Sequence, residues 1–222
     1  FFYYGLILKD LGKLQDSELS YRKAIKIKPD LAEAHYNLGN TLKDIGRLQE
    51  AESSYRKAIK INPDYSKAHS NLGNILKDIG RLQEAEISTR KAIELNPDFA
   101  TSYSILGSIL NDLGNLQDAE LATRKAIEIN PNYAEAYFNL GTILTDLGEL
   151  QEAEISYCKA IEIKPDFAKA YYSLSLIKFY DKNKILHDQL FSESILNTNS
   201  QKDQVDIYFA RANILHKEKK YE

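Results

Sequence analysis

Apolar residues return along this chain at helical spacing, in paired runs. In residues 32–45, Ala34, Leu38, Leu42 and Ile45 share one side of a helix, and Gly46 follows where a left-handed residue would end it. In residues 48–61, Leu48, Ala51, Tyr55, Ala58 and Ile59 form a second stripe, closed by Asn62-Pro63. Proline cannot continue a helix, so the pattern predicts a helical hairpin followed by a break. Asp64, and Asp30 with Glu33 at the preceding junction, are expected to cap the helices that follow them.

The hairpin recurs. Pro29, Pro63, Pro97, Pro131 and Pro165 are spaced by 34 residues, and every glycine lies on the same grid, at 5, 39, 73, 107 and 141 and at 12, 46, 80, 114 and 148. One hairpin cannot bury its apolar stripe alone, whereas a stack of them makes a continuous core. The expected fold is therefore all-α, an α-solenoid of stacked 34-residue helix–turn–helix units.

The residues at fixed positions of this unit resemble those of the tetratricopeptide repeat family. In the unit starting at residue 32 they are His35, Leu38-Gly39, Leu42, Ala51, Tyr55, Ala58 and Pro63; in the next they are His69, Leu72-Gly73, Leu76, Ala85, Thr89, Ala92 and Pro97. His or Tyr stands where the family has Trp, and Thr89 and Thr123 replace an aromatic. Small residues at Gly39, Ala51 and Ala58 allow close helix crossing; larger groups there would overpack by about 1–3 kcal/mol. The resemblance implies a right-handed superhelix and five near-consensus units, 1–31 (truncated), 32–65, 66–99, 100–133 and 134–167.

Beyond residue 167 the grid decays. Residues 168–180 keep the first-helix pattern with Ser175 in the glycine position, and 181–196 read as a degenerate second helix with Phe191 in the aromatic slot. A polar connector, 197–204, runs three residues longer than the period allows. Residues 205–222 read as a further first helix with Tyr208, Ala212 and Leu215 in register and Arg211 where Leu is expected. The domain reading is thus a degenerate repeat at 168–204 and a partial one, or a linker, at 205–222. Methionine is absent, the initiator included, so the chain is expected to be a fragment of a longer protein.

Composition narrows the function classes. Hydrophobic residues make up 43% and charged ones 27%, the balance of a folded protein rather than a disordered one. A net charge of −3 provides no electrostatic footprint for nucleic acid or an anionic membrane. No apolar run approaches the roughly 18–20 residues of a membrane span, and one cysteine, Cys158, cannot form an internal disulfide; a cytoplasmic location is expected.

Catalytic chemistry finds little support. Every glycine is committed to the repeat, leaving none for a phosphate-cradling loop, so no cofactor is expected. His35 and His69 occupy a packing position, His187 and His216 are isolated, and none has metal-ligand spacing to another His or Cys. Cys158, where earlier units carry Arg56, Arg90 and Arg124, lacks a neighbouring base and reads as an inert thiol. Glu52 with Arg56, Glu86 with Arg90 and Glu120 with Arg124 are i,i+4 pairs worth a few tenths of a kcal/mol on a solvated face.

Binding is what remains. The family resemblance implies that ligands lie along the first helices, which here present Tyr36, Asn37, Asn40, Lys43, Lys67, Asn71, Asn74, Lys77, Ser104, Asn111, Phe138, Asn139, Thr142 and Tyr172. An asparagine amide both donates and accepts, matching a peptide backbone without reading its side chains. Asn37, Asn71 and Asn139 resemble the asparagine ladder in the repeat arm of O-linked N-acetylglucosamine transferases, interrupted here by Ile105. The same residues equally suit an ordinary solvated helix surface. A chaperone-type carboxylate clamp is not expected, because its lysine position holds Phe2, Tyr36, Ser70, Ser104, Phe138 and Tyr172.

The expected function is a non-catalytic scaffold for a protein or extended peptide partner. Two rivals stand beside it. One is a structural module with weak self-association. The other is the recruiting arm of a larger enzyme, since units such as residues 82–100 also resemble bacterial repeat proteins that precede a sulfotransferase domain.

Overall fold

The structure is a computed structural model describing residues 1–177, 184–198 and 200–218. Among these residues every regular element is an α-helix, and none is long and apolar enough to cross a membrane. The chain divides into two compact units, Phe1–Leu113 and Gly114–Glu222.

The first unit contains α1 (Phe2–Asp10), α2 (Leu14–Ile27), α3 (Ala32–Ile45), α4 (Leu48–Ile61), α5 (Ser66–Asp78), α6 (Leu82–Leu95) and α7 (Ala100–Asp112). Each helix packs on the next, and first helices also touch one another, α1 with α3 and α5 with α7. The predicted stripes are the core: Leu38, Leu42, Ala51 and Tyr55 join Tyr21, Leu72, Ile75, Leu76, Ala85 and Ile109 in one cluster.

Two glycines show what the repeat needs. A Cβ on Gly39 would sit 2.6 Å from Cε1 of Tyr55, so the buried tyrosine ring requires a bare backbone beside it. Gly46 has φ +90°, the left-handed conformation that ends α3 and lets the Arg47 N–H donate back to Leu42 O at 2.9 Å.

The expected aspartate caps do not form. The residues before α3 and α5 are Leu31 and Tyr65, with no side-chain cap bond, so Asp30 and Asp64 lie one residue too early to reach the helix amides. The junction is held instead by Asn62, whose Oδ1 accepts from the Asp64 N–H at 3.2 Å. His35 and His69 sit over these junctions, their Nε2–H groups donating to Pro29 O (2.9 Å) and Pro63 O (2.8 Å).

The second unit contains α8 (Leu116–Ile129), α9 (Ala134–Leu147), α10 (Leu150–Ile163), α11 (Ala168–Leu176), α12 (Lys184–Phe191), α13 (Ser194–Thr198) and α14 (Gln201–Glu218). Helices α9 and α10 repeat the hairpin of the first unit, and α11 continues onto α10. Here the sequence expectation changes. The degenerate second helix is two short ones, interrupted at Ser192 and Glu193, and α14 begins at Gln201, inside the expected connector. Residues 178–183, 199 and 219–222, which belong to the expected elements of this end, lie outside the described residues.

The partner of α11 is α14. The register also differs from expectation: Ile207, Ala210 and Ile214 are buried, whereas Tyr208 (54% exposed) and Leu215 (47%) face outward. Three polar anchors account for this choice. Arg211, the residue that breaks the repeat pattern, donates from Nε to Leu190 O and from Nη2 to Ser192 O, both at 2.8 Å, satisfying carbonyls at the end of α12. Lys217 donates to Ser175 O at 2.6 Å, and Asn213 to Ser175 Oγ at 3.0 Å, at the end of α11. Turning Tyr208 and Leu215 inward would pull Arg211 away from those carbonyls. Phe191 is half-buried against the core of this unit and stacks on His187, ring centroids 4.5 Å apart.

Candidate functional site

The first-helix face is built on an aromatic and amide framework between consecutive units. Tyr55, on α4, is fully buried beneath α3 and donates its hydroxyl to Asn40 Oδ1 at 2.8 Å. The same Oδ1 accepts from Asn71 Nδ2, on α5, also at 2.8 Å. The second Asn71 N–H reaches the Tyr36 hydroxyl at 3.2 Å. The Tyr36 ring lies 6.0 Å from the Tyr55 ring and 4.9 Å from that of Tyr65. Burial, with Tyr36 nearby, pushes the Tyr65 hydroxyl up to about 12 and the Tyr55 hydroxyl further still, so both remain neutral donors at physiological pH.

This framework brings together Tyr36, Asn40 and Asn71 of the expected set. Asn37 is half-buried, and its Nδ2 donates to Glu33 O of its own helix at 2.8 Å. Lys77 reaches Ser108 Oγ at 3.1 Å, on the next first helix. Lys43 and Asn74 are half-buried, and Lys67 is exposed. Asn111 is half-buried, while Ser104, at 2% exposure, lies beneath the face.

In the second unit Phe138 lies 5.8 Å from the Tyr157 ring and 5.2 Å from that of Phe167, the same sandwich as Tyr36 makes. Thr142, in the position of Asn40, donates to Phe138 O at 3.2 Å and accepts from the Tyr157 hydroxyl at 3.4 Å. Asn139 is half-buried. Tyr172 packs against Phe209 of α14 at 6.2 Å. The tyrosine hydroxyl therefore finds an acceptor at this position in both units, by amide in one and by hydroxyl in the other.

The second-helix face holds a feature the sequence reading missed. The i,i+4 pairs are parts of larger rings. Glu18, Arg22, Glu50 and Arg47 close one: Arg22 reaches Glu18 at 2.8 Å and Glu50 at 3.0 Å, and Arg47 reaches Glu18 at 2.8 Å and Glu50 at 2.6 Å. Glu52, Arg56, Glu84 and Arg81 close the next in the same way. The spacings of 28 and 29 residues between Arg and Glu are the sequence signal for such rings.

Cys158 is half-buried on α10, and burial, with Glu154 beside it, pushes its thiol up to about 11. The group is protonated at neutral pH, the state of an unreactive thiol.

Comparison with known proteins agrees with this architecture. Tetratricopeptide repeat models match residues 32–65, 66–99 and 134–167, and a further repeat model of the same kind matches 5–46 and 107–144. No match is found among curated protein sequences. Among solved structures the chain is similar to MamA, at 29% identity and a TM-score of 0.63 over 74% of this chain and 96% of that one. It is similar to YrrB, described as a repeat protein with an unusual peptide-binding site, at 25% identity and a TM-score of 0.58 over 90% and 97% of the two chains. The fold is shared with PilF of Pseudomonas aeruginosa, at 20% identity and a TM-score of 0.73 over 91% and 93%. The repeat period, the glycines beneath buried tyrosines and these matches together place the chain in the tetratricopeptide repeat family.

Proposed function

We propose that this chain is a non-catalytic scaffold that holds an extended peptide segment of another protein along the first-helix face of residues 1–113. The observation that carries the reading is the bonding left over at Asn40 and Asn71. Asn40 accepts two hydrogen bonds through Oδ1, from Tyr55 and Asn71, which fixes the amide and leaves its two N–H donors uncommitted among the described residues. Asn71 donates both hydrogens, to Asn40 and Tyr36, and keeps its Oδ1 as an acceptor. A fixed donor beside a fixed acceptor matches the C=O and N–H of a peptide backbone. Each such bond contributes about 0.5–1.5 kcal/mol, and preorganisation removes the rotamer entropy that would otherwise offset it. The similarity to YrrB supports a peptide as the ligand class.

The test is Asn40→Asp. Aspartate retains the acceptor that Tyr55 and Asn71 need and removes the two free donors, so the framework stays and the backbone donor goes. Peptide-array binding is expected to weaken by about tenfold with an unchanged melting profile. Unchanged binding on every peptide retained by the parent chain would refute the reading.

A further inference from the structure

The second-helix face carries a groove in each unit, at equivalent positions of the repeat. In the first it is a slot of about 580 Å³ between α4 and α6 with α5 as its floor, where Ile59, Leu72, Leu76 and Ile87 supply apolar surface. In the second it is a slot of about 830 Å³ between α8 and α10 over α9, where Leu140 and Ile155 stand 68 residues after Leu72 and Ile87. The isoleucine of each slot is exposed, Ile87 by 70% and Ile155 by 68%. The same repeat position is apolar and exposed at Leu19 (56%) and Leu121 (68%), so an exposed apolar side chain recurs on the second helices of both units.

The rims of the two slots differ in sign. The first slot is lined by Arg56, Lys60 and Lys91 against Glu84, and the second by Arg124 and Lys159 against Glu152, Glu154 and Glu162; at matched positions Lys60 and Arg81 of the first unit are replaced by Glu128 and Glu149 in the second. In the first slot Glu84 is neutralised by Arg56 and Arg81, and Lys60 has no ion-pair partner among the described residues. In the second, Glu152 is met by Arg124 and by no second arginine among the described residues, because Glu149 replaces it, and Glu149 itself has no ion-pair partner among them. The first rim is left basic and the second acidic.

We propose that these two grooves are a self-association surface: the basic-rimmed slot of one copy receives Ile155 of a second copy, whose acidic-rimmed slot receives Ile87. A second copy is the occupant because the chain itself supplies both halves of the match, a protruding isoleucine and an apolar slot on each side and rims of opposite charge. Like slots brought together would oppose equal charges, so the pairing is specified as first unit to second unit. This surface is separate from the first-helix face, and a bound peptide and a second copy do not compete for it.

Sedimentation equilibrium of the chain from micromolar to millimolar concentration tests the pairing. Concentration-dependent self-association is expected, beginning with a dimer and extending to longer chains because the one contact leaves a slot free on each copy. Ile87→Asp and Ile155→Asp should each raise its dissociation constant at least about tenfold. Both side chains are mostly exposed, so circular dichroism should report an unchanged fold. Lys60→Glu alone and Glu149→Lys alone should weaken the dimer, and the doubly exchanged chain should regain it. A chain monomeric throughout, a dimer indifferent to both aspartates, or a double exchange no tighter than either single one overturns the proposal. An association through the exposed helix ends would show as the second of these outcomes.

Discussion

Asn71 donates from Nδ2 to Oδ1 of Asn40 at 2.8 Å, joining the first helices of two consecutive repeats, α3 and α5, by a side-chain amide pair. Both residues were expected to face a ligand, and part of their bonding capacity instead joins the repeats to each other. What each amide has left after that is the bonding the proposed peptide contact would use. The pair also makes a measurable contribution to stability. Asn71→Ala should lower the unfolding free energy by about 1 kcal/mol, with a lower denaturant midpoint. In a double-mutant cycle with Asn40→Ala the two changes should be non-additive; strict additivity would show that the pair contributes nothing.

The contact between Gly39 and Tyr55 makes a second prediction. Gly39→Ala places a methyl group 2.6 Å from the buried ring and should destabilise by about 1–3 kcal/mol. Trimming the ring should recover much of that loss. Gly39→Ala combined with Tyr55→Ala, which removes the ring altogether, is expected to be less than the sum of the two single effects in urea unfolding.

The ion-pair rings predict a dependence on acid and salt. Glu50 and Glu84 have carboxyls held below the usual range, first by hydrogen bonds from Arg47 and Arg81 respectively. A carboxyl with a lowered folded-state pKa stabilises the fold fully above its unfolded value, 4.5 here, and loses that contribution as pH falls through the lower folded value. Melting temperature should therefore be flat near neutrality and fall below the ordinary carboxylate range. High salt should shrink the fall, because the arginines are exposed and screened. The double variant Glu50→Gln/Glu84→Gln should show a shallower acid fall than the parent at low salt.

Cys158 is expected to react slowly. With its thiol raised to about 11, the rate of alkylation at pH 7–8 should lie well below that of a free cysteine and climb as pH approaches 11. Denaturation should bring it to the ordinary thiol rate. A native chain labelled as fast as the unfolded one would contradict the burial of this side chain.

Arg211 predicts the behaviour of the last helices. Arg211→Ala leaves Leu190 O and Ser192 O without their charged donor and should cost about 1.5–3 kcal/mol. Hydrogen exchange should quicken in α12 and α14 and stay unchanged in α3–α6, since repeat arrays couple through neighbours only.

The architecture through residue 167 was legible because period, glycine and proline act locally. Pro63 cannot continue the helix before it, Gly46 adopts φ +90° at little steric cost, and apolar spacing selects the buried stripe before any partner is specified. Which residues lie on first helices was legible for the same reason; their reading as a binding face came from the family resemblance. How each residue on that face bonds was not legible. Asn40 with Asn71, and Arg22 with Glu50, are 31 and 28 residues apart, and whether they meet depends on how one hairpin stacks on the next.

The end of the chain shows the division most clearly. The sequence of α14 carries two overlapping apolar stripes, Ile207, Ala210 and Ile214 against Tyr208, Ala212 and Leu215, and a period of 3.6 residues fits both. Periodicity alone determined that this segment is helical. Tertiary structure decided which stripe is buried, because one rotation of α14 lets Arg211 and Lys217 satisfy open carbonyls at the ends of α12 and α11 and the other leaves them without a donor.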